Sequence, residues 1–301
     1  MQREAAFAIV ASGSMRVWHR RLGHLHLDAI RAMVQKKLVS RLDITSSKEY
    51  NHVCEGCVLG KSHCLPFPKT SSTIYSKMEL VVMDITGPMS VETWTGHAYA
   101  MVVIEASCRF RVGQLLAKKE EVASTLKDVV TMLERQSGLK LKKMRSDNGT
   151  EFVNSIVESF CQRNGILHET IVPYAPEQNG IAERSIKTYF EMVRCMLHSA
   201  KMDLWYWGEA FMYAVHIRNL LPTSALRDTI QIHAWSGCKP DISHLHIFGS
   251  TAYANIPKKV RGGKLEATSI KCCLLGWWAD ETKGYRLEEA KTGKLITAQD
   301  V

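Results

Sequence analysis

Three widely separated acidic residues constrain this chain more than any other feature. One segment reads Arg145-Ser146-Asp147-Asn148-Gly149-Thr150-Glu151-Phe152, and another reads Pro176-Glu177-Gln178-Asn179-Gly180-Ile181-Ala182-Glu183-Arg184. Between Asp147 and Glu183 lie 35 residues. Upstream, the apolar run Leu80-Val81-Val82-Met83 ends in Asp84. Each piece alone has an ordinary reading. Asp147-Asn148-Gly149 is turn chemistry, because Asn and Gly tolerate positive φ. Asp84 ends a strand, and Glu183 sits on a solvated helix face. Taken together, they ask for a fold that brings three distant carboxylates to one place. Such a trio suits two divalent cations, which prefer oxygen ligands. Two cations about 3.5–4 Å apart clamp the attacking and leaving oxygens of a phosphoryl transfer.

The pattern around these residues is that of an α/β domain. Glu79 to Asp84 reads as a buried strand ended by Gly87-Pro88. Tyr99–Glu105 and Arg109–Leu116 read as two further strands of a meander. Residues 119–136 place Val122, Leu126, Val129, Val130 and Leu133 on one helical face. A short strand, Leu141–Arg145, delivers Asp147 at its end. A helix at 151–163, a strand at 166–172 and a helix from Glu177 or Gly180 to about Ser199 follow. The last carries Glu183. Residues 203–220 form another amphipathic helix, with Trp205, Trp207 and Phe211 read as core rather than as a base-stacking stripe. Strand-like runs return at 247–254, 271–277 and 283–287.

A second constellation lies near the N-terminus. His19 and His24 have four residues between them, and Cys54 and Cys57 follow after 29 more. Two imidazoles and a Cys-x2-Cys turn suit tetrahedral zinc, which would staple a segment too short for a good core of its own. The competing reading is two surface histidines beside a redox dithiol. His26 competes with His24 as a ligand. Residues 27–39 repeat apolar positions at helical spacing. Residues 63–77 are rich in Pro, Ser, Thr and Lys and read as a linker.

The formal charge of +9 points to a polyanionic partner. No apolar run reaches the roughly 18 residues of a membrane-spanning helix, and the N-terminus lacks a signal-peptide layout. No membrane partner or secretion is expected. Nine cysteines at irregular spacings fit a reducing compartment better than a disulfide framework.

The segments Ser146-Asp147-Asn148-Gly149-Thr150-Glu151-Phe152 and Gln178-Asn179-Gly180-Ile181-Ala182-Glu183-Arg184, with Asp84 upstream, resemble the catalytic core of copia-like retrotransposon integrases. That family belongs to the retroviral integrase superfamily. The resemblance runs from about Trp18 to the C-terminus and includes the His/Cys region with its trailing Gly60-Lys61. It implies a ribonuclease H-like core, a mixed five-stranded sheet with helices. This would be preceded by a small zinc-bound helical region and followed by a small src-homology-3-like β-barrel. The implied layout is a pre-integrase region at 1–62, a linker at 63–77, a core at 78–225 and a barrel region at 226–301.

The resemblance further implies DNA strand transfer, with Asp84, Asp147 and Glu183 holding two Mg2+ or Mn2+ ions. His19, His24, Cys54 and Cys57 would hold one structural Zn2+. A 3′-hydroxyl of element DNA would attack target DNA, and water would play the same role in end trimming. The expected partner is double-stranded DNA, with RNA a further candidate, and the expected assembly is a homo-oligomer acting in the nucleus. The DNA-facing set would be Asn148, Gln178, Asn179, Arg184 and Lys187, joined by Lys258, Lys259 and Arg261, with Lys264 in the same basic loop. A solvated face is the bland reading for each of these cations.

The sequence departs from the family at Glu105-Ala106, Ile230, His233 and Cys272, none of them in the triad or the quartet. Protease, reverse transcriptase and Gag segments are not seen. This keeps open a non-catalytic, nucleic-acid-binding relic as the rival reading, beside a plain nuclease.

Overall fold

The computed structural model describes residues 12–22, 24–39, 43–45, 54–55, 57, 74–171, 179–226, 228–259, 261, 263, 265–278 and 284–299. Two units emerge, Met1–Lys69 and Thr70–Val301.

In the first unit, β1 (Ser12–Gly13) pairs in parallel with β2 (Asp43–Ile44). Two helices are described, α1 (Met15–Arg21) and α2 (Leu27–Gln35). The apolar repeat predicts a helix running to Val39. It stops at Gln35 because Lys37 takes a left-handed conformation, φ +49°. Ile30 is fully buried here.

The second unit is built on a five-stranded mixed sheet. Strands β3 (Leu80–Thr86), β4 (Tyr99–Glu105) and β5 (Arg111–Leu116) form an antiparallel meander. Helix α3 (Val122–Ser137) crosses to β6 (Lys143–Ser146), and α4 (Ser155–Asn164) leads to β7 (Leu167–Thr170). Both of these strands join in parallel, giving the order β5-β4-β3-β6-β7. Helices α5 (Gly180–Ala200), α6 (Trp207–Asn219) and the short α7 (Gln231–Ser236) follow. Helix α4 begins four residues later than the sequence predicts. The Asn154 side chain accepts hydrogen bonds from Ile156 N (3.1 Å) and Val157 N (3.0 Å), which sets the start.

Strand alternation sorts the core into two layers. Val81, Met83, Met101, Val103 and Met144 pack with α3 and α4. Leu80, Val82, Ala100, Val102 and Ile104 pack on the other face with α5 and α6. The sheet is thus covered on both sides, and each fully buried aliphatic side chain contributes about 1.5–3 kcal/mol. The aromatic stripe of 203–220 is core at Trp207 and Phe211, whereas Trp205 stays exposed.

Downstream, β8 (Thr251–Asn255), β9 (Ser269–Trp278), β10 (Gly284–Glu289) and β11 (Leu295–Ala298) form an antiparallel sheet in the order β11-β10-β9-β8. Phe248 and Leu275 share a hydrophobic cluster with α6 residues. Arg286 Nε donates to buried Glu209 at 2.7 Å, and the Tyr206 hydroxyl donates to Glu288 at 2.7 Å. Tyr213 donates to the His246 carbonyl at 2.7 Å. These strands therefore belong to the same packed unit as the five-stranded sheet.

Candidate active site and metal centre

Register and alternation place the first two carboxylates. Val82 pairs with Arg145 across the parallel β3/β6 ladder. Asp84 lies two residues beyond Val82 within β3, and Asp147 lies two beyond Arg145, one past the end of β6. Asp84 shares the face of Leu80 and Val82, which α5 and α6 cover. Met144 faces the other layer, so Arg145 lies on the α5 side, and Asp147 helps to raise the Asp84 carboxyl.

Asn179 anchors the third element. It is 1% exposed, and its Nδ2 donates to the Met83 carbonyl at 3.1 Å. This bond fixes the start of α5 beside Asp84, one helical turn before Glu183. Glu183 itself is exposed.

The electrostatics register the crowding. The Asp84 carboxyl is pushed up to about 7, first by burial and then by Asp147, Glu183 and Glu151. Its own Oδ1 accepts from Ile85 N at 2.9 Å, which opposes that rise. Asp147 Oδ1 accepts from Gly149 N at 3.0 Å. A Cβ on Gly149 would lie 2.8 Å from the Glu151 carboxyl and 3.0 Å from Asp147 Oδ1, so a larger residue there would displace these carboxylates. Glu151 pairs with Lys119 at 2.8 Å, and that pairing holds its carboxyl below the usual range against the effect of burial. The four carboxylates meet one paired cation among the described residues. That surplus of negative charge is what divalent cations would neutralise. Among the described residues the carboxylate oxygens do not form a group as close as that of the His/Cys quartet.

The His/Cys quartet does converge. The ligand atoms of His19, His24, Cys54 and Cys57 all lie within 4.8 Å of one another. Cys57 Sγ is 3.3 Å from His19 Nε2, Cys54 Sγ is 3.3 Å from His24 Nδ1, and the two imidazole nitrogens are 3.2 Å apart. The edges of a tetrahedron with zinc–sulfur and zinc–nitrogen bonds are about 3.3–3.8 Å, so the donor set fits that ion. His19 Nδ1 bonds the Leu25 carbonyl at 2.8 Å, which leaves Nε2 for a metal. The backbone N–H of Cys57, followed by His19, lowers the Cys54 thiol to about 6, favouring the thiolate that zinc requires. His26 instead caps α2 through Asp28 N.

The expected DNA-facing residues divide. Arg184, Lys187, Lys258 and Lys259 are exposed. Asn148 Nδ2 donates to the Ile171 carbonyl at 2.8 Å, tying its turn to the end of β7. Asn179 is a core tie rather than a surface group, because its amide serves Met83. Arg261 closes its own loop, with Nε on the Ile256 carbonyl at 2.8 Å and Nη2 on Asn255 at 3.0 Å. Gln178 and Lys264 lie outside the described residues, as does Tyr174-Ala175-Pro176. Sequence reasoning missed Glu151 and Lys119 as neighbours of the site. Glu151 stands in the Asp147 turn, so proximity was a signal. Lys119 offered none.

Family models match in three blocks. Residues 2–62 match a GAG-pre-integrase domain, 75–176 an integrase core domain and 250–301 a retroviral polymerase SH3-like domain. The chain is 35% identical, over 96% of its length, to a retrovirus-related Pol polyprotein from transposon TNT 1-94 of Nicotiana tabacum. It is 27% identical, over 94% of its length, to the corresponding polyprotein from transposon RE2 of Arabidopsis thaliana. It covers 21% and 19% of these relatives, about a fifth of their length. A chain of the simian T-cell lymphotropic virus intasome, solved with PP2A regulatory subunit B56 gamma, has a similar fold. Its TM-score is 0.51 at 15% identity, covering 96% of this chain and 99% of that one. In this order the chain matches GAG-pre-integrase, integrase core and SH3-like domain models, and it is similar to a stretch of retrovirus-related Pol polyproteins from plant transposons.

Proposed function

We propose that the chain is a divalent-metal-dependent DNA strand transferase, with Asp84, Asp147 and Glu183 as its metal-holding triad. The observation that supports this reading is the crowding at Asp84, whose carboxyl is raised by burial and then by Asp147 and Glu183, beside the start of α5 that Asn179 ties to β3. When bound, two Mg2+ or Mn2+ ions would supply activation of the attacking hydroxyl and neutralisation of the charge on the reacting phosphate. The chain's own residues orient that chemistry. Asn179 holds α5 against β3, and Gly149 N–H fixes one oxygen of Asp147. Lys119 holds Glu151 away from competing protonation.

In the transfer, a DNA 3′-hydroxyl gives up its proton as its oxygen forms a bond to a target phosphorus. The target 3′-oxygen leaves and takes a proton. One phosphodiester is broken for one formed, so no energy-rich co-substrate is needed. DNA ends, target DNA, assembly with further copies of the chain and action in the nucleus are parts of the same proposal.

The test is joining of a labelled DNA end into a plasmid by purified protein in magnesium or manganese. Joined product supports the reading. Cleavage without joining would favour a plain nuclease, and DNA binding with neither reaction would favour a non-catalytic relic.

A further inference from the structure

On another flank of α5 lies a cavity of about 200 Å³ that the carboxylate site does not use. Its lining includes four arginines from three elements. Arg109 and Arg111 come from the β4–β5 hairpin, Arg184 from α5 and Arg218 from α6. Arg111 is 7% exposed, and its Nε has no hydrogen-bond partner among the described residues. Arg109 Nη1 is likewise buried and unpartnered there. Arg109 reaches its position through a left-handed backbone, φ +63°, which is uncommon for a side chain of this size.

Glu105, whose charge acts on Arg109, forms no ion pair with it among the described residues and spends its oxygens on other donors. Glu105 is fully buried and accepts from Met78 N (3.0 Å), Cys108 N (2.9 Å) and the Ser107 hydroxyl (2.8 Å). Burial first, then the neighbouring guanidinium of Arg111, depresses the Arg109 pKa. A guanidinium does not relieve such strain by losing its proton, so the arrangement calls for an anion from outside. The planar forks of arginine match phosphate oxygens. Thr223 and Ser224 add hydroxyls to the lining, and Tyr189, the one aromatic among the described lining residues, is fully buried and offers no face for base stacking. The lining therefore suits a phosphoryl group and not a base.

We infer that the cavity formed by Arg109, Arg111, Arg184 and Arg218 is a phosphoryl-group subsite. Its occupant is either a backbone phosphodiester of nucleic acid or a free phosphate compound. The nucleic-acid source rests on the strand-transfer reading, whereas phosphate binding does not.

The test uses the full chain and inorganic phosphate at constant ionic strength, without added divalent cation. Melting temperature should rise saturably with phosphate and not with chloride. Arg109→Gln and Arg218→Gln should each weaken the apparent phosphate affinity at least fivefold, while Lys291→Gln, at an exposed turn, should leave it unchanged. Should either of these variants fail to fold, Arg184→Gln on the exposed helix surface carries the same expectation.

Duplex DNA binding then separates the sources. A parallel loss of duplex affinity in Arg218→Gln assigns the subsite to a nucleic-acid phosphate. An unchanged duplex affinity assigns it to a free phosphate compound. No saturable effect in the parent, or equal affinity in every folded variant, overturns the subsite. Because the measurement involves no joining, an inactive integrase would leave its outcome readable.

Discussion

The Asp84 carboxyl is held near neutrality by its surroundings. Its folded value of about 7 stands above the ordinary 3.8. The folded state therefore binds a proton that the unfolded state has lost, and stability from this group falls as pH rises from about 4 to 7. Three units correspond to on the order of 4 kcal/mol. Asp84→Asn should accordingly be more stable than the parent at pH 8 without metal, and nearly equal to it at pH 4. Magnesium should raise the parent's melting temperature more at pH 8 than at pH 5, and should not raise that of the variant. Thermal denaturation across this range checks both, and a difference between the two proteins that is constant with pH would contradict the assigned environment. Asn179→Ala should cost about 1–3 kcal/mol, since it leaves the buried Met83 carbonyl without its partner. It should also diminish the magnesium-induced shift, because α5 loses its tie beside Asp84. Chemical denaturation with and without magnesium measures both effects. Asp84, Asp147 and Glu183 stand out in the sequence because an apolar run and local motifs mark them. The role of Asn179 does not, because its partner is 96 positions away and is a backbone carbonyl.

At the scale of elements, local signals and long-range packing divide the outcome. Strand β4 falls at Tyr99–Glu105 as alternation and β-branched content predict. Helix α7 was not read from sequence. It is six residues long and held by Trp235, which stacks on Phe110 with ring centroids 4.9 Å apart and donates to Gln136 at 3.0 Å. Neither contact leaves a local trace. Strand β11 is short and depends on its pairing with β10, so it too escaped. The His/Cys spacing, in contrast, carried its geometry openly. Zinc should be present at one equivalent in protein purified without chelator. Cys54→Ser should abolish it and increase proteolysis within Met1–Lys69 while leaving the melting of the larger unit unchanged. Metal analysis showing no zinc in the parent would remove this assignment.

For the whole molecule, a charge of +9 makes DNA affinity an electrostatic quantity. Affinity for a non-specific duplex should fall steeply between about 50 and 200 mM salt as counterion release weakens, on the order of tenfold or more. A flat response would dissociate the basic surfaces from DNA binding. Charge alone does not distinguish a binding protein from a catalyst, and Glu183 makes that distinction. Glu183→Gln preserves size and most hydrogen bonding but removes the charge that would help hold a second metal. The most direct measurement compares joining and binding side by side for the parent, Asp84→Asn, Asp147→Asn and Glu183→Gln in magnesium and manganese. Joining is expected from the parent alone, with equal loss in all three variants because they serve one site, and DNA affinity within about twofold throughout, because phosphate contacts elsewhere dominate binding. A parent that joins DNA while Glu183→Gln joins it equally well would contradict the triad.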